Sequence, residues 1–155
     1  MPLFIATLII SVFITTNSFA QQAEPEQEPP MNLARLGEIV LALDPEAQSE
    51  GGQFRLTIED VPVLIVTDPV ADRMRAMVPI RRTDGMTSED LMRVMQANFD
   101  TALDARYAVA HGQLWGTFIH PLSPLEKSQL ISGLGQTVNI AKTYGSLFTG
   151  GAMSF

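Results

Sequence analysis

The sequence predicts an α+β fold of order αβββαββα, a five-stranded curved antiparallel sheet packed with three helices. Three observations predict it. Hydrophobic spacing changes from helical to alternating near residue 53, then returns to helical near residue 87. Turn residues separate the alternating runs at Glu59-Asp60, Asp68-Pro69 and His111-Gly112. Helix-start residues stand at Asn32, Thr87 and Ser123.

The first helix is expected from Asn32 to Asp44, with Leu33, Leu36, Val40 and Leu43 along one side. Asn32 suits an N-cap, and Pro45 ends the helix by disfavouring the α conformation at Asp44. A charged loop from Pro45 to Gly52 follows. Phe54, Leu56 and Ile58 then alternate with Gln53, Arg55 and Thr57, as in a half-buried strand. Val61 to Thr67 is almost wholly apolar and β-branched, which predicts a strand covered on both faces. The third strand alternates from Arg73 to Ile80, and Pro79, lacking an N–H, places its end or a sheet edge there.

Arg81 to Met86 is a loop turning at Asp84-Gly85. Thr87 and Asp90 fit a capping box for a second helix reaching about Phe99, with Leu91, Val94 or Met95, and Phe99 on its apolar side. Tyr107 to Ala110 and Leu114 to Ile119 flank the two-residue turn His111-Gly112. For the last helix, Ser123 is expected at N-cap, Pro124 at the first position and Glu126 at N3. Leu130, Leu134, Val138, Ala141 and Phe148 trace its buried stripe, helped by Leu125, Ile131 and Tyr144. Gly133 and Gly135 either weaken this helix, by about 1 kcal/mol each relative to Ala, or mark a close backbone contact. Trp115 is expected to anchor the sheet to it.

The first twenty residues have the pattern of a cleavable secretory signal peptide. Leu3 to Ile14 is nearly unbroken apolar sequence, and Ser18-Phe19-Ala20 offers small residues for cleavage after Ala20. No Lys or Arg precedes the run. It is shorter than the roughly 18 apolar residues of a spanning helix, so no stable membrane span is expected after cleavage. This pattern predicts an exported protein, periplasmic or extracellular. Residues 21–30 are acidic and Pro-rich and read as a flexible linker. Residues 31–148 form the single α+β domain, and 149–155 a flexible tail.

The chain has 155 residues, no cysteine and a net charge of −7. Disulfides therefore contribute nothing, and the domain relies on its apolar core. The acidic balance argues against nucleic acid and against anionic lipid. His111 and His120 are the only histidines, without a metal-ligand spacing, and no catalytic or cofactor signature is present. Gly133-Leu134-Gly135 lies within a helical pattern and is no phosphate loop. Glu89-Asp90 suits the first turn of a helix, where the macrodipole favours acids.

Arg73, Arg75 and Arg81 share the parity of one strand face, with Arg82 beside them. They form either a solvated outer face or a docking surface for an acidic peptide or headgroup, since arginine forks bind carboxylates bidentately. Met74, Met77, Met86, Met92 and Met95 crowd the middle of the chain as core filler. Leu91, Met95 and Phe99 could equally form a dimer seam.

The order of elements resembles the type III secretion chaperone-like superfamily, and within it the YbjN-like proteins. The residues carrying the likeness are Phe54 to Ile58, Val61 to Val66, Met74 to Ile80 and Leu91 to Phe99. The hairpin Tyr107 to Ile119, then Pro121-Leu122-Ser123 and the long helix, complete it, so that it spans Leu33 to Phe148. The resemblance implies a homodimeric, non-enzymatic module that binds a protein or peptide. Secretion chaperones work in the cytoplasm, whereas the leader pattern points to export, so the fold and the binding role are what carry over. Fold alone leaves room for two other classes. One is a small hydrolase or transferase with a carboxylate-based site, and the other is a module that encloses a small ligand or lipid.

Overall fold

The structure is a computed structural model that describes residues 28–146. The leader pattern, most of the linker, Phe148 and the tail lie outside the described residues.

Three helices and six strands follow in the order α1 (Leu33–Leu43), β1 (Gln48–Glu50), β2 (Gln53–Ile58), β3 (Val61–Asp68), β4 (Arg73–Arg82), α2 (Ser88–Asp100), β5 (Arg106–Ala110), β6 (Gln113–Pro121) and α3 (Lys127–Lys142). All pairings are antiparallel, in the spatial order β1-β2-β3-β4-β6-β5. The fold class is the expected one, with six strands where five were predicted. The additional strand, β1, carries no apolar alternation because all its residues are exposed. Its signal was the pair Gly51-Gly52, which turns with φ of 56° and 79° and forms a two-residue hairpin pairing Glu50 with Gln53. His111 (φ 52°) and Gly112 (φ 69°) make the equivalent turn between β5 and β6.

Helix α1 is capped as expected, Asn32 Oδ1 accepting the Arg35 N–H at 3.0 Å. Its buried face is Leu36, Ile39 and Val40, while Leu33 and Leu43 lie outside it. In α2 the Thr87–Asp90 capping box forms with distances of 2.9 and 3.1 Å. Helix α3 departs from expectation, starting at Lys127 with Glu126 as N-cap, whose N–H donates to Gln129 Oε1 at 3.0 Å. Ser123 is diverted because its N–H and Oγ both donate to the Asp72 carboxylate, at 2.7 and 2.9 Å.

All three helices pack on one face of the sheet. Phe54, Leu56, Val63, Ile65, Met74, Ala76, Val78 and Phe118 point to this inner face and meet Leu36 and Val40 of α1 and Leu130, Leu134 and Val138 of α3. A second cluster on the same side joins Val94 and Ala97 of α2 to Tyr107, Leu114 and Ile140. Helix α3 reaches both clusters. It can approach the sheet closely because Gly133 sits against the Phe118 ring and Gly116 against Ile140.

Pro79 neither ends β4 nor lies at an edge. Strand β4 is central, and the register shifts between Pro79 and Arg81, a bulge that absorbs the missing donor. Trp115 also departs from expectation. Leu114, Gly116 and Phe118 occupy the inner parity of β6, so Trp115 faces away from α3, its Nε1–H donating to the Ala110 carbonyl at 3.2 Å.

The β4–β6 connection is held by Asp72, which sits at φ 52° and receives the two Ser123 bonds, while its carbonyl accepts the Leu122 N–H at 3.1 Å. The Ser123 donors, backbone first, hold the Asp72 carboxyl below its ordinary value of 3.8. A lowered folded-state value contributes stability above pH 3.8, and this is lost as pH falls through the folded value. Urea titrations of the wild type and Asp72→Asn should therefore differ at neutral pH and converge on acidification below about pH 4. A gap that stays constant however far the pH is lowered would show that the carboxylate charge is irrelevant.

Candidate functional site

The other face of the sheet is covered by no helix among the described residues. Register places its side chains in rows. Arg55, Leu64, Met77, Thr117 and Arg106 follow one another across β2, β3, β4, β6 and β5. The next row holds Gln53, Val66, Arg75 and Ile119, and beyond it come Asp68, Arg73 and Pro121. On the opposite side Pro79, Trp115 and Ala108 line up. The middle of this outer face is thus apolar and rimmed with arginine. Leu64, Val66, Met77 and Trp115 are half-buried there, and Ile119 is 54% exposed.

The expectation that β3 is covered on both faces is therefore corrected. Val63 and Ile65 are sealed by helices, but Leu64 and Val66 have none above them. A groove of about 620 Å³ runs over Pro62, Leu64, Pro79 and Trp115, with Asp44, Glu46 and Arg55 at its margin.

The bulge separates the arginines that the sequence grouped. Arg73 and Arg75 lie on the outer face, opposite Pro121 and Ile119. Past the bulge, Arg81 pairs with inner-parity Leu114, and Arg82 pairs with Gln113. Arg82 is ion-paired to Asp84 at 3.1 Å. The residues that sequence reasoning missed are Arg55 and Arg106, brought by strand pairing to the same face as Arg73 and Arg75 from distant parts of the chain. No local pattern signals that. Neither Arg55, Arg73, Arg75 nor Arg106 forms an ion pair among the described residues, whereas Arg35, Arg82, Arg93 and Lys142 do.

A second uncovered apolar surface lies on α2. Val94 and Ala97 are its buried residues, which leaves Met92 (68% exposed), Met95 (63%) and Phe99 (90%) outward, with Leu91 at their edge. Leu91, Met95 and Phe99 recur four apart and share a face. A third groove, of about 360 Å³, runs between α1 and β1 along Leu33, Ala34, Leu41, Ala47 and Phe54.

The titratable side chains His111, His120, Tyr107, Glu59 and Glu89 occupy a turn, packing contacts and ion pairs. His111 occupies a hairpin turn, and His120 stacks on Phe118 with Nδ1 2.8 Å from the Pro121 carbonyl oxygen. Burial, then Tyr144, pushes the Tyr107 hydroxyl up to about 12, and it donates to the Ile140 carbonyl at 3.0 Å. Glu59 is tied to Lys142 at 2.8 Å, and Glu89 to Arg93. Among the described residues no group of three or more His, Asp or Glu side chains could hold a metal ion.

No family model matches the chain, and no curated protein matches it. Solved structures do share its fold. One is the ExsC–ExsE complex, with a TM-score of 0.58 and 11% identity over 76% of this chain and 96% of that one. Another is the Yersinia pestis type III secretion chaperone SycH with a fragment of YscM2, with a TM-score of 0.54 and 21% identity over 70% of this chain and 94% of that one. The HopA1–SchA chaperone–effector complex has a TM-score of 0.54 and 10% identity over 74% of this chain and 98% of that one. The chain has the fold of the type III secretion chaperones.

That likeness corrects the expected location. The proteins sharing the fold are type III secretion chaperones, the cytoplasmic class, which conflicts with a periplasmic or extracellular protein exported by a signal peptide. An apolar run of about twelve residues suits a buried helix or an interfacial segment as well as a leader, so the run alone does not specify export.

Proposed function

We propose that this chain is a non-enzymatic binding module that holds a segment of a partner protein on the outer face of its sheet and acts as a homodimer. One observation carries the reading: β3 is apolar on both faces, yet among the described residues only one face is sealed by helices. Fully burying a Leu, Val or Met side chain is worth about 1.5–3 kcal/mol. Leu64, Val66, Met77 and Trp115 would gain part of that when a partner covers them. Two of the structures sharing the fold support the same direction, since the SycH and SchA structures each hold a chaperone together with another protein.

The dimer seam is assigned to α2, through Leu91, Met95 and Phe99, with Met92 adjoining. A nine-tenths exposed Phe on a helix whose other side is packed is a surface that a second copy can cover. Light scattering of the wild type should give a dimer mass, and Met95→Glu with Phe99→Glu a monomer with an unchanged far-ultraviolet spectrum. A wild type that stays monomeric at high concentration would remove the seam.

Partner binding is tested by a photo-crosslinking residue at Met77, in the middle of the outer face, and at Val70, in the β3–β4 turn. Discrete protein adducts from position 77 and none from position 70 are expected in the source cell. Equal labelling from both positions would defeat the reading.

A further inference from the structure

Strand β5 stops short. Its last pair with β6 is Arg106 with Thr117, whereas β4 accompanies β6 as far as Pro121. Among the described residues the far end of β6 therefore has a neighbour on one side only. The two-residue turn at His111-Gly112 makes Ala110 and Gln113 a hydrogen-bonded pair, and such pairs alternate along an antiparallel ladder. Gln113, Trp115 and Thr117 consequently direct their N–H and C=O groups toward β5. Ile119 points the same way, past the end of β5, where no described residue pairs with it.

Gln136 keeps this edge open. Its Oε1 accepts the N–H groups of Asp104 and Ala105 at 2.8 and 3.1 Å, drawing the segment before β5 onto α3 instead of alongside β6. What remains is a groove of about 590 Å³ walled by Ile119 and His120 on one side and Ser128, Gln129 and Ser132 of α3 on the other. Arg106 stands at its mouth on the outer face, and its guanidinium donates to the Ala105 carbonyl at 3.0 Å. Arg75 lies directly across from Ile119. The carboxylate that also lines the groove, Asp104, is already engaged by Gln136 Nε2 at 3.2 Å. An exposed isoleucine with a free backbone donor and acceptor thus sits between two arginines without ion pairs among the described residues.

We infer that the end of β6 at Ile119 is a strand-addition site for an extended acidic segment of the partner protein. The backbone of that segment pairs with the Ile119 N–H and C=O and continues the line of β5. Side chains alternate along an added strand. Those on the outer side meet Ile119, Arg106 and Arg75, which favours carboxylates there. Those on the inner side enter the groove beside Ser128 and Ser132, which favours small or hydroxyl side chains. An anionic membrane fits less well, because the chain carries a net −7 and the site lies in a groove rather than on a projecting patch. The inference rests on the binding reading above and names the chemistry of the segment held.

The test uses the full chain and a fluorescent ten-residue probe alternating glutamate with serine, beside a version with lysine for glutamate. The glutamate probe should bind, and the lysine probe should bind about tenfold more weakly or not at all. Arg106→Glu should weaken the glutamate probe by about tenfold while leaving the melting temperature in place. N-methylating alternate amides of the probe should abolish binding in one phase and spare it in the other, because only one phase points its N–H groups at β6. Equal binding of both probes, or insensitivity to N-methylation in both phases, would overturn the site. So would a change in oligomeric state with Arg106→Glu, which would give the edge to a second copy. Crosslinking from Met77 that persists after such a failure would leave the wider binding reading standing, and its loss would remove that reading independently.

Discussion

Ile65→Ala should destabilise the domain by about 2–5 kcal/mol, whereas Leu64→Ser, one residue away, should cost about 1 kcal/mol or less. Ile65 is fully buried at the centre of the sheet, paired with Phe54 on β2 and Ala76 on β4. Ala76 is too small to fill the space that a truncated neighbour leaves, and the helices above are held by Leu36, Leu130 and Leu134, all at most 1% exposed. The cavity would persist and its lining would lose dispersion contacts. Leu64 has the same chemistry and the same strand, but no helix above it. Urea denaturation of the two variants compares the faces directly. Similar losses would mean that the outer face is covered in the free protein, contrary to the basis of the proposed function.

Gly133→Ala and Gly135→Ala should move stability in opposite directions, although both add one methyl to the same helix. A Cβ on Gly133 would lie 2.6–2.7 Å from the Phe118 ring, closer than real Cβ contacts come. Phe118 is buried, so moving its ring would disturb the surrounding core, and overpacking of this kind costs about 1–3 kcal/mol. That outweighs the gain in helix propensity of up to about 1 kcal/mol. Gly135 meets nothing within 4 Å and is exposed, so only the propensity gain remains there, again up to about 1 kcal/mol. Thermal melts should place Gly133→Ala below the wild type and Gly135→Ala above it. A stabilised Gly133→Ala would mean that α3 stands farther from β6 than described.

Much of the architecture was legible in local patterns, because capping, turn chemistry and strand alternation act over a few residues. The Thr87–Asp90 box, the His111-Gly112 turn and the strands from Gln53 to Asp68 all follow from such patterns. Strand β1 escaped because an exposed strand has no apolar period to read. The cap of α3 escaped because Ser123 satisfies a remote acid, Asp72, in place of its own helix.

The candidate site was less legible. Counting by parity grouped Arg73, Arg75 and Arg81, but a bulge at a proline resets parity, and only the pairing with β6 reveals where it falls. Arg55 and Arg106 enter the site through pairings that link distant parts of the chain. The sequence by itself determined the order of helices and strands, the turns between them and the presence of apolar residues on both sides of β3. Only the tertiary structure decided which of those sides the helices seal, where β5 releases the edge of β6 and which arginines stand together. Local patterns report the preferences of neighbouring residues, whereas burial and proximity depend on long-range packing that no short window contains.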